Sequence, residues 1–543
     1  MKKLTGTTLL LGNNETTGRI LEDLADSENR LILATPQDNF HFSAHAQALI
    51  QSREASIKAL TAATVAGCRG TVGNFHIRMH QGKERFICRV DRIILCEDLH
   101  RDPGFAVYGL TPSPHILSLS QVIAHVDPEE PSASIPDQYQ KVVFLMGLKH
   151  ESHPVIAADV MDSALHLQQQ GKQVYILTGN LKVAAPGLEK RYRECRKAGV
   201  VFVKFTQAAP DFRSKADGRV VIEYKDELLD QRFRLSPDLA VVDETFAPFS
   251  YLRHLTRIFN LESDASGFAQ ADNVHRLTVL TNRKGILAAG TSRSILSKED
   301  RWIDAHNTVL TAAALHSNAR DQDNSFAEID PGGCVRCLTC YRVCPYRAVV
   351  VNARPRIEPD ACEACGICIA ECPREAIQFK GDARPFTRTA LDPSFEIPEG
   401  KPLPPVIAAF CCTRSALQAK KLAVCRGDSL PEGLICIEVP CAGSISHSQL
   451  MTAFQQNADG VLVLACHNGN CHSEKGSRLA DSRVRYLKTM MEQMGFEPRR
   501  LMIQTLAANM GIEFVQIVNA FEERLKALGP SRLKASASAK TGP

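Results

Sequence analysis

Eight cysteines fall in two near-identical runs, Cys334-x2-Cys337-x2-Cys340-x3-Cys344-Pro345 and Cys362-x2-Cys365-x2-Cys368-x3-Cys372-Pro373. Thiolates at this spacing are ligands for iron–sulfur cubanes, each run supplying three cysteines to one [4Fe–4S] cluster and its fourth to the other. Cys334, Cys337, Cys340 and Cys372 are therefore expected around one cluster, and Cys362, Cys365, Cys368 and Cys344 around the second. Close spacing lets a single loop wrap a cubane and turn backbone N–H groups toward its sulfides. The proline after each fourth cysteine has no N–H and pushes that cysteine out of the helical region. Zinc knuckles usually pair CxxC units across a longer gap, and a disulfide framework belongs to secreted chains. The chemistry expected is one-electron transfer.

Five further cysteines lie near the C-terminal end: Cys411, Cys412, Cys441, Cys466 and Cys471. The pair and Cys466 directly follow apolar strand-like runs, and the carboxyl ends of strands in open α/β sheets are where ligands bind. Gly469 would let the loop from Cys466 to Cys471 fold tightly enough for both sulfurs to face one metal. The competing reading is zinc, with His467 or His472 completing the site. Cys68, Cys88, Cys96, Cys195, Cys425 and Cys436 read as small buried hydrophobes.

The elements that must hold these ligands alternate β and α. Residues 4–11 read as a buried strand, 12–14 as a turn, a helix follows from about Thr16, and 30–35 form the next strand. Strand 141–146, helix 155–170, strand 173–178, helix 187–198 and strand 199–205 continue the alternation, which implies parallel sheets covered on both faces. The fold expected is α/β: a Rossmann-like, degenerate FAD-binding type of region, an α+β dicluster ferredoxin module and a small C-terminal α/β domain. The boundaries read as 1–125 for the degenerate dinucleotide-binding region and 140–325 for a second Rossmann-like region. They continue with 326–380 for the ferredoxin module, 381–405 for a linker with six prolines, 406–530 for the last domain and 531–543 for a disordered tail.

Composition narrows the class. The chain has 543 residues, too many for one core at ~100–200 residues per domain, and 44% of them are hydrophobic. The net charge is only +4, from 64 basic and 60 acidic residues, so nothing favours nucleic acid as a partner. No apolar run reaches the ~18 residues of a membrane span. Met1-Lys2-Lys3 leads straight into a strand with no h-region. With 19 cysteines, that points to a reducing cytoplasm and metal ligation. Membrane contact is expected only through partner subunits, at the inner face.

Several stretches resemble known families. AFCC (409–412), VPCAG (439–443) and ADGVLVLACHNGNCH (458–472) resemble the delta subunit of methyl-viologen-reducing hydrogenase. That family implies a [2Fe–2S] cluster on these cysteines. It usually carries a further cysteine where this chain has Ser415. QVYILTGNLKVAAPGLEKRYRECRKAGVVFVKF (173–205) and GILAAGTSR (285–293) resemble the A component of heterodisulfide reductase. The order of parts is similar to the B component of the quinone-interacting membrane-bound oxidoreductase. The resemblance implies FAD, a flavoprotein partner, a soluble redox partner and a quinone-reactive membrane subunit.

For FAD the residues depart from the family. A dinucleotide site wants G-x-G-x-x-G and an acidic residue after the second strand. Here the turn is Gly12-Asn13-Asn14-Glu15-Thr16-Thr17-Gly18, and the strand ends Ala34-Thr35-Pro36. If FAD binds, Gly12 would meet its pyrophosphate and the Gly285–Gly290 segment its isoalloxazine side. The surviving second half tips this reading toward retained FAD. No Walker loop, nucleophile elbow or complete substrate site is visible. The function expected is that of an iron–sulfur electron-transfer subunit of a heterodisulfide reductase-like or quinone-interacting complex. The alternatives are a self-contained FAD-dependent NADH or thiol oxidoreductase and an iron–sulfur redox sensor.

Overall fold

The computed structural model describes residues 5–25, 28–126, 135–181, 183, 185–206, 208–226, 230–269, 278–317, 326–380 and 404–531. The chain divides into two compact units, Met1–Cys96 with Arg253–Ala289 and Asp304–Pro543, and Glu97–Leu252 with Gly290–Ile303.

The first unit opens with a five-stranded parallel sheet in the order Ile286–Ala288, Arg92–Leu95, Thr5–Leu11, Glu28–Ala34, Ile57–Leu60. Leu9, Leu10 and Leu11 are all buried, as a central strand covered on both faces requires. Helix Glu15–Ala25 lays Ile20, Leu21 and Leu24 on one face. Strand Ile286–Ala288, which the sequence reading places in the second region, instead closes this first sheet: Ile93 N donates to Gly285 O at 2.9 Å and Ala289 N to Leu95 O at 2.8 Å. The first dinucleotide-type fold is thus assembled from two distant stretches of chain. An antiparallel sheet of Ala63–Thr71, Asn74–Gln81 and Glu84–Val90 accompanies it.

The second unit carries a parallel sheet in the order Val201–Lys204, Gln173–Thr178, Lys141–Met146, Leu239–Val242, Ile116–Ser118. Helices Pro154–Gln169 and Leu188–Ala198 bury Ile156, Val160, Met161, Leu188 and Cys195 in its main core.

The ferredoxin module, back in the first unit, is framed by strands Phe326–Ile329 and Ile377–Lys380 and by the pair Val349–Val351 and Pro355–Ile357. The final domain is a parallel sheet in the order Leu434–Val439, Ile407–Cys412, Gly460–Ala465, Leu501–Thr505. Its closing helix Gly511–Leu528 buries Phe514, Val518, Phe521 and Leu525. The fully buried Arg500 ties the end of that helix to the sheet through Asp459 O at 3.1 Å and through Leu528 O and Pro530 O, both at 3.3 Å. The linker expected at 381–405 lies outside the described residues except for Pro404 and Pro405, and the tail expected at 531–543 does so except for Ser531. Among the described residues no helix is long and apolar enough to cross a membrane.

Gly12 has φ +151°, and a Cβ built there would lie 2.0 Å from Cys96 O and 2.6 Å from Thr17 Oγ1. The glycine is needed for chain packing whether or not a ligand binds. Gly12→Ala should cost about 2–4 kcal/mol of stability. Thermal unfolding measured by circular dichroism checks this, and an unchanged Tm would contradict it.

Candidate iron–sulfur centres

Each cysteine run folds around its own space. Arg336 and Leu338 in the first run have φ of 57° and 60°, and the equivalent Ala364 and Gly366 in the second have 49° and 74°. Alternating left-handed residues curl a loop so that successive N–H groups point inward. Past each fourth cysteine the repeat persists: Ala348 N donates to Cys344 Sγ at 3.4 Å and Ala376 N to Cys372 Sγ at 3.3 Å.

Cys334, Cys337, Cys340 and Cys372 line one cavity. Cys344, Cys362, Cys365 and Cys368 line another. Each cavity thus receives three thiols from one run and the fourth from the other. Burial pushes the Cys365 thiol up to about 12 and raises Cys344 and Cys368 as well. Such thiols stay protonated unless a cation supplies compensating charge. A donor set of four thiols with inward N–H groups fits a cubane.

In the final domain Cys412, Cys441, Cys466 and Cys471 form one buried group. Cys412 Sγ and Cys466 Sγ are 3.7 Å apart, and Gly443 N donates to Cys441 Sγ at 3.4 Å. A Cβ at Gly476 would sit 2.2 Å from Cys441 Sγ, so only glycine fits beneath this sulfur. The hydrogen bond from Cys466 pulls Cys412 down to about 6, and bonds from Cys441 and Cys466 hold Cys471 low. The four thiols share protons as one set, a state that metal binding would replace by thiolates. Among the described residues, no three His, Cys, Asp or Glu side chains converge on one point as a single-ion site requires. The four sulfurs pack against one another instead.

Cys411 does not join them. Strand alternation turns it to the opposite face of the sheet, into the core with Ala409, Leu462 and Phe514, where its Sγ lies 3.6 Å from Ala409 O. Ser415, at the position of the family's further cysteine, accepts a hydrogen bond from Cys466 Sγ at 3.4 Å. His467 is engaged by Thr505 Oγ1 at 2.9 Å and Met510 Sδ at 3.4 Å.

The sequence reading missed how closely these modules join. Cys365, from the second cavity, packs against the four-thiol group. Three glycines allow the approach. A Cβ at Gly366 would lie 2.6 Å from Ser444 Cβ, and one at Gly443 would lie 2.7 Å from Gly476 Cα and 2.9 Å from Ile367 Cγ1. The buried Arg483 clamps the seam, donating to Glu371 Oε1 at 2.7 Å, Gly443 O at 2.9 Å and Ile445 O at 2.5 Å. Tyr346 OH donates to His472 O and lies the same 3.2 Å from Ser473 Oγ. Asn282 Nδ2 donates to Pro345 O at 2.9 Å, beside Cys344.

The FAD expectation meets residues that do not fit it. At the Gly12 turn, Asn14 Nδ2 and Thr17 Oγ1 both donate to Cys96 O at 2.9 Å, spanning the point where the strand order reverses. Thr17 N is capped by Asn14 Oδ1 at 2.9 Å. On the other side Asn13 bonds Gln37 and Asn39 O, and Asn13 Oδ1 accepts from His41 N at 2.7 Å. The crevice that a dinucleotide would occupy is bridged by side chains. A Cβ at Gly285 would lie 2.8 Å from Val72 Cβ, so that glycine packs against the hairpin after Thr71. Beyond Gly290, Thr291 Oγ1 donates to Glu97 O at 2.5 Å and Glu97 N donates to Ser292 Oγ at 2.6 Å.

Two dinucleotide-type folds, paired four-cysteine cavities and a buried four-thiol group define an iron–sulfur electron-transfer protein. Residues 326–380 match the 4Fe-4S dicluster domain, and 407–529 match the methyl-viologen-reducing hydrogenase delta subunit. Through this last segment the chain belongs to the hydrogenase delta-subunit family. It is 34% identical over 131 residues to the vhu iron-sulfur D component of the F420-non-reducing hydrogenase of Methanocaldococcus jannaschii, covering 24% of this chain and 98% of that protein. It is also similar to the A component of the ferredoxin:CoB-CoM heterodisulfide reductase of Methanosarcina mazei. That similarity is 27% identity over 390 residues, 71% of this chain and 48% of that protein. The chain thus spans about half the length of the heterodisulfide reductase components it matches. Among solved structures, the thioredoxin reductase of T. acidophilum aligns with a TM-score of 0.39 at 12% identity, over 58% of this chain and 100% of that one.

Strand alternation yields a sharp contrast. Cys412→Ala should abolish the long-wavelength absorption of the C-terminal centre, whereas Cys411→Ala should leave it in place. The reverse pattern in iron, sulfide and visible-spectrum analysis would contradict the facing assigned to these strands.

Proposed function

We propose that the chain is the iron–sulfur electron-transfer subunit of a heterodisulfide reductase-like complex. Cys334, Cys337, Cys340 and Cys372 would hold one [4Fe–4S] cluster, and Cys344, Cys362, Cys365 and Cys368 a second. Cys412, Cys441, Cys466 and Cys471 would hold a [2Fe–2S] cluster. Bound clusters supply one-electron chemistry. What the protein contributes is spacing, burial and hydrogen bonding. The observation that carries the reading is Cys365, a proposed ligand of the second cubane, packed against the four thiols of the third centre. Arg483 and Tyr346 hold this seam shut with hydrogen bonds, and burial keeps water from the sulfurs.

Local charge tunes the centres. Arg336, Arg342 and Arg347 flank the first run, and Glu363, Glu371 and Glu375 the second. On sequence alone this would give the first cluster the higher potential. In the fold Glu371 is paired with Arg483 at 2.7 Å and Glu363 with Lys284 at 3.8 Å, which offsets much of the second run's negative charge.

The bridged Gly12 crevice supports an electron relay without FAD of its own rather than a self-contained flavoenzyme. The flavin would then reside on a partner. A partner flavoprotein and a quinone-reactive membrane subunit would supply the two ends of the relay, as in the quinone-interacting oxidoreductase whose B component this layout resembles. Attachment to the inner face of the membrane would follow from that assembly.

Anaerobically purified protein should contain roughly ten iron atoms per chain and flavin far below one per chain. Cys344→Ala should remove the EPR signal of the second-run cluster and spare the first. One flavin per chain would refute the absence of FAD, and loss of the first-run signal would refute the crossed ligand assignment.

A further inference from the structure

Of the three proposed centres, the first opens to the surface through an exposed ligand. Cys337 is exposed, whereas the cysteines of the second cavity and of the C-terminal group are intermediate or buried. The surface around it has a definite character. Val335 is 60% and Tyr341 41% exposed, placing apolar area on either side of Cys337 in the sequence. Arg336, Arg342 and Arg374 are exposed too. Arg342 is held at the rim by bonds to Cys337 O at 3.1 Å and Thr339 Oγ1 at 3.2 Å. Among the described residues neither Arg336 nor Arg374 forms an ion pair. Of the acids in this module, Asp330 caps Gly332 N and Gly333 N at 2.9 and 3.0 Å and keeps its charge, while Glu358 pairs with Arg356. Glu375, next to Arg374, is exposed.

An apolar centre with a rim in which three arginines outnumber Asp330 and Glu375, over a proposed redox ligand, suits brief, electrostatically steered contact. We propose that this face docks an acidic one-electron carrier protein, on the reading that the four cysteines of the first cavity hold a cubane. One electron leaves the reduced centre of the carrier and enters the first-run cluster, or the reverse, with no bond made or broken and no proton required. The arginines supply the attraction, and Val335 and Tyr341 the dehydrated contact through which the electron crosses.

The test uses the full-length holoprotein and an acidic bacterial 2[4Fe–4S] ferredoxin, reduced beforehand and mixed in a stopped-flow instrument. The second-order rate constant should fall as ionic strength rises. Arg336→Glu with Arg374→Glu should lower it about tenfold or more at low salt. Reduction by methyl viologen radical, a small cation, should be unchanged or faster in the same variant. Arg232→Glu with Arg234→Glu, an equal charge change on the other unit, should leave the ferredoxin rate unaltered. Equal rates for the rim variant and the wild type, with first-run EPR signals intact in both, would overturn the docking face while leaving the cluster assignment standing. A wild-type protein lacking the first-run signal would overturn the cluster assignment and the docking face together. Rim-dependent binding to anionic lipid vesicles, without any effect on ferredoxin, would reassign the patch to a membrane surface and also overturn the proposal.

Discussion

The structure turns on one close approach, that of Cys365 to the sulfurs of Cys412, Cys441, Cys466 and Cys471. Backbones come near enough only because Gly366, Gly443 and Gly476 have no side chains to collide. Around them a buried arginine spends its donors on Glu371 and two carbonyls. Removing one partner from a buried, hydrogen-bonded charge leaves the other uncompensated at a cost of several kcal/mol, so the seam resists opening. The ferredoxin module and the final domain thus lie within one compact unit.

The same burial governs the thiols. Desolvation raises Cys344, Cys365 and Cys368, and a shared set of protons links the four sulfurs of the last domain. Thiolate ligation by a metal would supply compensating charge, and cluster assembly and folding of these modules would then be coupled. The exposed Cys337 is the exception: hydrogen bonds from Thr339 lower its thiol, and it opens to the surface.

Which cysteines meet was largely legible in the sequence, because their spacing is a local pattern. The two runs, the crossing of their fourth cysteines between cavities and the strands before Cys412 and Cys466 all follow from local pattern. The choice between Cys411 and Cys412 did not. Strand Ile407–Cys412 is buried on both faces, so no polar alternation marks which sulfur looks which way. The return of Ile286–Ala288 to the first sheet was equally silent, since an insertion of a whole unit leaves no periodic trace. The hairpins at Gly73 and Gly82, both with positive φ, did carry turn signals that the alternating β/α reading passed over. At the Gly12 turn the missing glycines were visible. That Asn13 and Asn14 bridge the crevice themselves required the fold.

If the proposed second-run cluster and C-terminal centre are neighbours within one chain, low-temperature EPR of the fully reduced, full-length protein will register their coupling. The C-terminal signal should be broadened by spin–spin interaction with the second-run cluster, and should sharpen when Cys362→Ser removes that cluster. A C-terminal signal that is narrow in the wild type and indifferent to loss of the second-run cluster would contradict it.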